Sequence, residues 1–169
     1  GGGGFLVYRA PDGTVSTLDY REKGPGAATA GMFLDHLGEP DPHLSRRSLL
    51  ASGVPGSVAG LLEIHSRWGS GKLTRAQVMA PAIRLAEQGF PVSFDFHESL
   101  INNKERLGGI ESTALVLYPD GDIPAPGSIF RQPGLAATLK EIAIRGRDGF
   151  YTGWVADSLV ALMSREGGL

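Results

Sequence analysis

Alternating apolar and polar residues near the start of the chain predict a β-hairpin. Residues 5–9 and 14–20 each show the two-residue period of a strand, and the Pro11-Asp12-Gly13 segment between them is typical of a tight turn. In the second strand, odd-numbered residues are expected on one face and even-numbered residues on the other. Arg21 then follows just past the regular pairing, where the second strand ends.

After the hairpin, apolar residues recur at the three- and four-residue spacing of helices. The predicted helices cover residues 28–37, 55–68, 75–88, 93–106, 133–145 and 154–165. Residues 40–47 are polar and contain proline, which favours an exposed, mobile loop, and residues 114–118 are predicted to be a short strand. Aromatic residues on or beside the helical stripes are expected in the core: Trp68, Phe90, Phe94, Phe96 and Trp154. The pattern predicts an α+β fold, with a hairpin followed by a mostly helical layer.

The composition is that of a globular segment. The 169 residues are 41% hydrophobic and 20% charged, with a net charge of −2 and no basic stripe that would favour nucleic acid. The apolar stretches are too short to span a bilayer, and the lack of cysteine excludes disulfides, thiolate nucleophiles and cysteine-ligated zinc. The chain opens in a glycine run without Met, so we expect it to be a piece of a longer protein.

Arg21 is the strongest candidate for binding a small acidic molecule. A guanidinium is permanently charged and forked, so it can hold a carboxylate through two parallel hydrogen bonds. Its place at the end of a strand would fix its position. The alternative is that Arg21 and Glu22 form a solvated surface pair, as most such pairs do.

Two glycine-containing segments superficially resemble catalytic motifs. Gly1 to Gly4 precede a strand, whereas a phosphate-binding loop needs a strand before the glycines and a helix after them, so close packing against another strand is favoured. Ser57 has Pro55 two residues before it, where a nucleophile elbow requires glycine, so a packing site at a helix entry is favoured there.

The histidines and acidic residues form no complete catalytic or metal-binding set in the sequence. No two histidines have metal-ligand spacing, so His36, His43, His65 and His97 are interpreted as packed or solvated imidazoles. Asp41 and His43 lie in the predicted loop without a serine partner, and a surface role is favoured. No metal or cofactor is therefore expected.

Several segments, taken together and in order, resemble the large subunit of the γ-glutamyltranspeptidase family. They are Gly1 to Phe5, Leu18-Asp19-Tyr20-Arg21-Glu22, residues 27–34, Ala51-Ser52-Gly53-Val54-Pro55-Gly56-Ser57-Val58-Ala59-Gly60, residues 80–92, Gln132 to Leu139, Phe150-Tyr151-Thr152-Gly153 and Gly167-Gly168-Leu169. The resemblance covers nearly the whole chain. Residues 24–26, and a slight insertion at residues 69–71, depart from the family's pattern.

The resemblance implies a fold and a mechanism that extend beyond this chain. Residues 1–169 would be a single segment of the large subunit and part of a four-layer αββα sandwich of the N-terminal-nucleophile hydrolase class, lacking the flanking parts and the small subunit. The proenzyme would cleave itself, and the new N-terminal threonine of the small subunit, expected beyond Leu169, would be the nucleophile. No catalytic residue is therefore expected within this fragment, which alone would be inactive.

The family's substrate-binding residues carry over to two positions. Arg21 matches the arginine that holds the α-carboxylate of the γ-glutamyl donor, and Glu22 matches a glutamate that would orient Arg21, sense the α-amino group or form a structural salt bridge. The implied partners are glutathione or a related γ-glutamyl donor, an amino acid or peptide acceptor, and the autocleaved small subunit. A periplasmic or secreted location is expected from the relatives.

Two other functions stay open at this stage. One is a cephalosporin acylase of the same superfamily, because a glutaryl group also ends in a carboxylate that Arg21 could hold. The other is a non-catalytic scaffold that has lost the nucleophile. The residues after Leu169 would separate an enzyme from a scaffold.

Overall fold

The computed structural model describes residues 2–169 and divides the chain into two compact units. The first unit comprises the residues up to Arg75 together with Ile144–Leu169, and the second comprises Ala76–Ala143. A hairpin belongs to the first unit and a second short strand pair to the second, while helices fill most of the remaining chain. The predicted α+β class is confirmed.

The N-terminal hairpin has the predicted strands and turn. Strand β1 (Phe5–Arg9) pairs antiparallel with β2 (Val15–Asp19), and Phe5 lies opposite Asp19. Gly13 closes the turn with a φ of 89°, which glycine adopts without steric cost. Hydrogen bonds from the backbone and side chain of Thr14 lower the pKa of the exposed Asp12 carboxyl.

The two faces of the hairpin differ in their surroundings. On the even-numbered face, the Tyr8 ring packs against Trp68 with the ring centroids 5.6 Å apart. On the odd-numbered face, the side chains of Phe5, Val7 and Val15 remain 66%, 73% and 58% exposed. The alternation predicted for the strands is confirmed, and it leaves one apolar face of the hairpin uncovered in this chain.

Nine α-helices follow the hairpin in the described part of the chain. Their bounds are α1 (Pro42–Arg47), α2 (Ser57–Trp68), α3 (Arg75–Gln88), α4 (Phe94–Asn102), α5 (Lys104–Gly108), α6 (Glu111–Leu117), α7 (Pro133–Arg145), α8 (Asp148–Tyr151) and α9 (Gly153–Arg165). Short 3₁₀ turns cover Leu49–Ala51 and Pro119–Gly121. The predictions for α2, α3, α7 and α9 are confirmed to within one or two residues at each end.

The second unit is built around a small aromatic cluster. Strand β3 (Phe90–Pro91) pairs antiparallel with β4 (Ile129–Phe130), a pairing that the sequence pattern did not reveal. The Phe130 ring meets those of Phe90 and Phe96 edge-on, with centroids 5.8 Å and 5.2 Å away. Leu100, only 2% exposed, is the most deeply buried residue of this core.

Residues 28–37 form turns, so the predicted helix there is wrong. The Leu34 N–H donates to the Gly31 carbonyl at 3.0 Å, which is the three-residue step of a turn. The Asp35 carboxylate accepts from the Leu37 N–H at 2.8 Å. Glycine and aspartate favour such local turns over a continuous helical ladder.

Residues 40–47 are not a loop, because α1 forms there. The Asp41 side chain caps the helix by accepting from the N–H groups of His43 and Leu44, and a proline occupies the first helical position. An N-cap aspartate followed by proline is a helix-start signal that outweighs the polar composition of the segment.

Two further predictions fail in the second unit. Of the predicted strand 114–118, residues 114–117 are helical and belong to α6, and the predicted helix over residues 93–106 is divided between α4 and α5 at Asn103. A four-residue apolar run such as residues 114–117 fits a helix as well as a strand.

The prediction that five aromatic residues lie in the core is confirmed only in part. Phe90 and Phe96 lie in the aromatic cluster and Trp68 packs on the hairpin, as predicted. Phe94 is 76% exposed and Trp154 is 46% exposed, so their core assignment is wrong. Both lie in the first turn of a helix.

We expect Tyr118→Phe to destabilise the protein by about 1 kcal/mol, because the Tyr118 hydroxyl donates a buried hydrogen bond of 2.9 Å to the Leu100 carbonyl. The phenyl ring would keep its packing while the carbonyl lost its partner. Urea unfolding followed by circular dichroism measures the change. An unaltered midpoint and slope would show that the hydroxyl contributes nothing.

Candidate carboxylate-binding site

Arg21 lies where the sequence predicts it, just past the end of β2. The pairing of the two strands extends one residue further, because the Tyr20 N–H donates to the Gly4 carbonyl at 3.0 Å. The Arg21 N–H then donates to the Asp19 carboxylate at 3.0 Å instead of continuing the ladder. This local turn fixes the backbone from which the guanidinium extends.

The Arg21 side chain is held by two neighbours and still has donors available. Its guanidinium carbon lies 5.8 Å from the centroid of the Phe5 ring, and one guanidinium nitrogen lies 3.5 Å from the Glu22 carboxylate. The side chain remains 60% exposed. A guanidinium has five N–H donors, so a ligand carboxylate could still be bound by two of them.

Glu22 is fixed between two glycines. A Cβ placed on Gly53 would lie 2.9 Å from the Glu22 Cγ, and one placed on Gly2 would lie 3.2 Å from its Oε2. A side chain at Gly53 would therefore force Glu22 to shift. The three roles considered for Glu22, namely orienting Arg21, sensing an α-amino group and forming a structural salt bridge, all stay predictions.

The glycine run packs against the backbone of the site. A Cβ on Gly3 would lie 2.3 Å from the Arg21 Cα, and one on Gly4 would lie 2.9 Å from the Tyr20 hydroxyl oxygen. The predicted close packing against a neighbouring strand is confirmed for Gly3 and Gly4. Gly1, which the prediction also included, lies outside the described residues.

The segment before α2 is hydrogen-bonded to the backbone of Lys23 and of Gly2. Lys23 and Val54 form an antiparallel bridge, with N–H to carbonyl distances of 3.3 Å and 2.8 Å. The Gly2 carbonyl accepts from the N–H groups of Gly56 and Ser57 at 2.7 Å and 3.1 Å. Ser57 is thus the first residue of a helix, as predicted.

Tyr151, for which the sequence predicts no role in the site, also packs against this segment. Its hydroxyl donates to the Pro55 carbonyl at 2.7 Å and accepts from the Ala59 N–H at 3.2 Å. The Arg147 guanidinium lies over its ring, 4.7 Å from the centroid. No spacing rule could have found this residue, because its partners lie more than ninety residues away in the chain.

A groove of about 450 Å³ opens beside the end of β2, where Leu18 to Arg21 and Lys23 line it. Its other walls are formed by Val54 to Gly56, by residues of α2 between Ala59 and Arg67, and by Arg147 and Tyr151. Arg21 itself lines this groove, and its guanidinium carbon lies 5.8 Å from the centroid of the Phe5 ring. The carboxylate-binding candidate therefore borders the groove.

The histidines do not join the site. The His65 Nε2 donates to the Leu73 carbonyl at 3.1 Å, and the His97 Nδ1 donates to the Pro124 carbonyl at 2.8 Å, in the tautomers that fit these contacts. Both contacts fit the interpretation of these histidines as packed or solvated imidazoles. Residues 2–169 contain no grouping of histidine, aspartate and glutamate that could ligate a metal ion.

No helix within residues 2–169 combines the length and the apolar character that crossing a bilayer would require. The longest, α3, has fourteen residues.

Comparison with known proteins agrees with the resemblance drawn from the sequence. The family described as gamma-glutamyltranspeptidase matches residues 1–169. A protein of Pseudomonas aeruginosa named "Glutathione hydrolase proenzyme" is 42% identical over 175 residues, which cover 100% of this chain and 29% of that protein. The chain therefore spans less than a third of the length of this relative.

Solved structures give the same result for the fold. The crystal structure of Helicobacter pylori gamma-glutamyltranspeptidase matches with a TM-score of 0.92 and 39% identity, over 100% of this chain and 48% of that chain. A cephalosporin acylase from Bacillus halodurans matches with a TM-score of 0.78 and 25% identity, over 97% of this chain and 31% of that one. The predicted partial fold of an N-terminal-nucleophile hydrolase is confirmed. The placement of residues 1–169 as one segment of a large subunit stays a prediction.

Proposed function

Because this chain belongs to the γ-glutamyltranspeptidase family, we propose that it is part of the large subunit of an enzyme that hydrolyses or transfers γ-glutamyl groups. The observation that carries the proposal is the Arg21 guanidinium, placed by Phe5 and Glu22 at the end of β2 with donors to spare. Arg21 would hold the α-carboxylate of the donor, and glutathione is the donor suggested by the name of the P. aeruginosa relative.

The chemistry would be completed outside this chain. A proenzyme would cleave itself to expose a threonine at the N-terminus of the small subunit, where the free α-amino group serves as general base. The threonine hydroxyl would attack the γ-carbonyl of the donor, and the amine portion would leave with a proton. Water, an amino acid or a peptide would then take the γ-glutamyl group from the threonine ester. These steps use amine, hydroxyl and guanidinium groups and need no cofactor.

The open face of the hairpin supports a place within a larger sandwich. Phe5, Val7 and Val15 present apolar side chains that are each more than half exposed. In an αββα arrangement, this face would pack against the second sheet, to which the small subunit contributes. Covering the face would also reduce the access of water to Arg21 and strengthen its attraction for a carboxylate.

A cephalosporin acylase is the second candidate. The B. halodurans acylase has the same fold over nearly all of this chain, and a glutaryl group presents a carboxylate that Arg21 could hold. The likeness to the H. pylori enzyme is greater, with a TM-score of 0.92 against 0.78 and an identity of 39% against 25%. The γ-glutamyl reaction is therefore preferred.

The proposal is tested with the full-length protein and three chromogenic anilides. We expect the γ-glutamyl anilide to release aniline, the α-glutamyl anilide to be inert, and the glutaryl anilide to react slowly, because it lacks the α-amino group. Faster release from the glutaryl compound would favour the acylase. Inertness toward all three, together with a single uncleaved chain on a denaturing gel, would favour the scaffold. Recovery of the activity from the periplasm or medium would test the proposed exported location.

A further inference from the structure

Helix α2 begins without a capping side chain of its own. Its N-cap residue is Gly56, and the first N–H groups of any helix lack partners within that helix. Here two other parts of the chain supply the partners. The Gly2 carbonyl accepts from Gly56 and Ser57, and the Tyr151 hydroxyl accepts from Ala59. The start of the helix is therefore capped by groups from elsewhere in the chain, namely the Gly2 carbonyl and the Tyr151 hydroxyl of α8.

Tyr151 makes a second bond that extends this cap into the segment before the helix. Its hydroxyl proton is directed to the Pro55 carbonyl at 2.7 Å, so one oxygen joins residues on both sides of Gly56. The ring itself is held by the Arg147 guanidinium and by an edge-on contact with Phe150, at 4.7 Å and 5.0 Å between centres. The hydroxyl is thus presented by a ring that is itself packed.

The segment fixed in this way is the surface on which the Arg21 backbone lies. A Cβ on Gly56 would lie 2.1 Å from the Tyr20 carbonyl oxygen and 2.7 Å from that of Arg21. One residue before Pro55, Val54 exchanges two backbone hydrogen bonds with Lys23. A shift of the Pro55–Gly56 peptide would therefore be transmitted directly to Tyr20 and Arg21.

We propose that Tyr151 is a positioning residue for Arg21, with its hydroxyl fixing the Val54–Gly56 segment against the strand end that carries the guanidinium. This inference rests on the proposed function for its consequence in catalysis, since Arg21 is the group that would hold the donor's α-carboxylate. Tyr151 lines the same groove as Arg21, and the role proposed for its hydroxyl is exerted through the backbone of Pro55 and Ala59.

The test is Tyr151→Phe in the full-length protein, which retains the ring and removes only the hydroxyl. We expect KM for the γ-glutamyl anilide to rise about three- to tenfold, as the loss of one or two hydrogen bonds allows, while kcat changes less than about twofold. In an Arg21→Ala background, the same substitution should leave KM unaltered, because the group that it positions is gone.

The matched control is Tyr118→Phe, which also removes a hydroxyl-to-carbonyl bond but lies in the second unit. It should lower stability without altering KM. If the wild-type protein is active and Tyr151→Phe leaves KM unchanged, or if Tyr118→Phe raises KM equally, the positioning role is refuted.

Hydrogen exchange separates failure of this inference from failure of the proposed function. Tyr151→Phe should accelerate exchange of the Lys23 and Val54 amides, which lie in the bridge behind Arg21. This readout requires no activity. If the wild-type protein does not act on γ-glutamyl compounds, accelerated exchange still supports the mechanical link, and unaltered exchange at both amides overturns it.

Discussion

Replacing Arg21 by alanine in the full-length protein is expected to raise KM for a γ-glutamyl donor by at least about thirtyfold. Loss of one partner of a charge-assisted, bidentate contact costs 2 kcal/mol or more, and about 1.4 kcal/mol corresponds to a factor of ten. The Arg21 side chain is 60% exposed in this chain, so we expect KM to rise by about thirtyfold and by more only if the rest of the protein covers the site. Initial rates over a range of donor concentrations measure the change.

Two further substitutions show whether the rise in KM depends on the forked guanidinium and whether it is specific to Arg21. Arg21→Lys keeps the charge but loses the fork, so KM should rise clearly as well. Arg9→Ala removes an exposed cation from the opposite end of β1 and should leave KM unchanged. The proposed autocleavage should proceed in all three variants, because that chemistry would belong to the proposed threonine of the small subunit. A KM that is unaltered in both Arg21 variants would remove Arg21 from the donor site.

The position of Arg21 was predictable because strand geometry is local. A two-residue alternation that ends at Asp19, followed by charged residues and glycines, specifies both the end of the strand and the face on which its neighbours lie. The same reasoning explains why the glycine run had to be a packing surface. Glycines that precede a strand leave room for a neighbouring backbone, and the Arg21 backbone occupies that room.

The local predictions that failed had competing signals of similar strength. The Asp41–Pro42 start signal was present in the sequence, but the polar composition around it led to the prediction of a loop, and the structure has a helix there. Residues 114–117 form an apolar run too short to distinguish a helix from a strand.

Contacts between residues far apart in the chain could not be predicted from the sequence. Tyr151 contacts Pro55 and Ala59 only after the chain has folded back on itself, and β3 meets β4 after nearly forty intervening residues. The resemblance marked Phe150–Gly153 as a family segment but did not say what the tyrosine does. Its role could be read only from the partners of its hydroxyl.

Gly60→Ala is expected to destabilise the first unit by about 3 kcal/mol, with loss of donor binding in the protein that remains folded. A Cβ on Gly60 would lie 2.1 Å from the Tyr20 Cγ and 2.3 Å from its Cβ, far inside van der Waals contact. Because Gly60 is buried in α2 and Tyr20 adjoins Arg21, relief of the overlap must displace the helix or the strand end. Overpacking of this kind commonly costs 1–3 kcal/mol, and the short distance places it at the upper end.

Helix propensity alone predicts that Gly60→Ala would stabilise the protein. The sign of the measured change in stability therefore distinguishes overpacking from helix propensity. Alanine is favoured over glycine in a helix interior by up to about 1 kcal/mol. Gly134, in α7, is the matched control, because a Cβ there would meet no atom within 4 Å. Gly134→Ala should therefore leave the protein equally stable or more so, while Gly60→Ala lowers both the thermal midpoint and the soluble yield. Equal stability of the two variants would mean that α2 and the Arg21 strand end do not pack as closely as the glycines between them indicate.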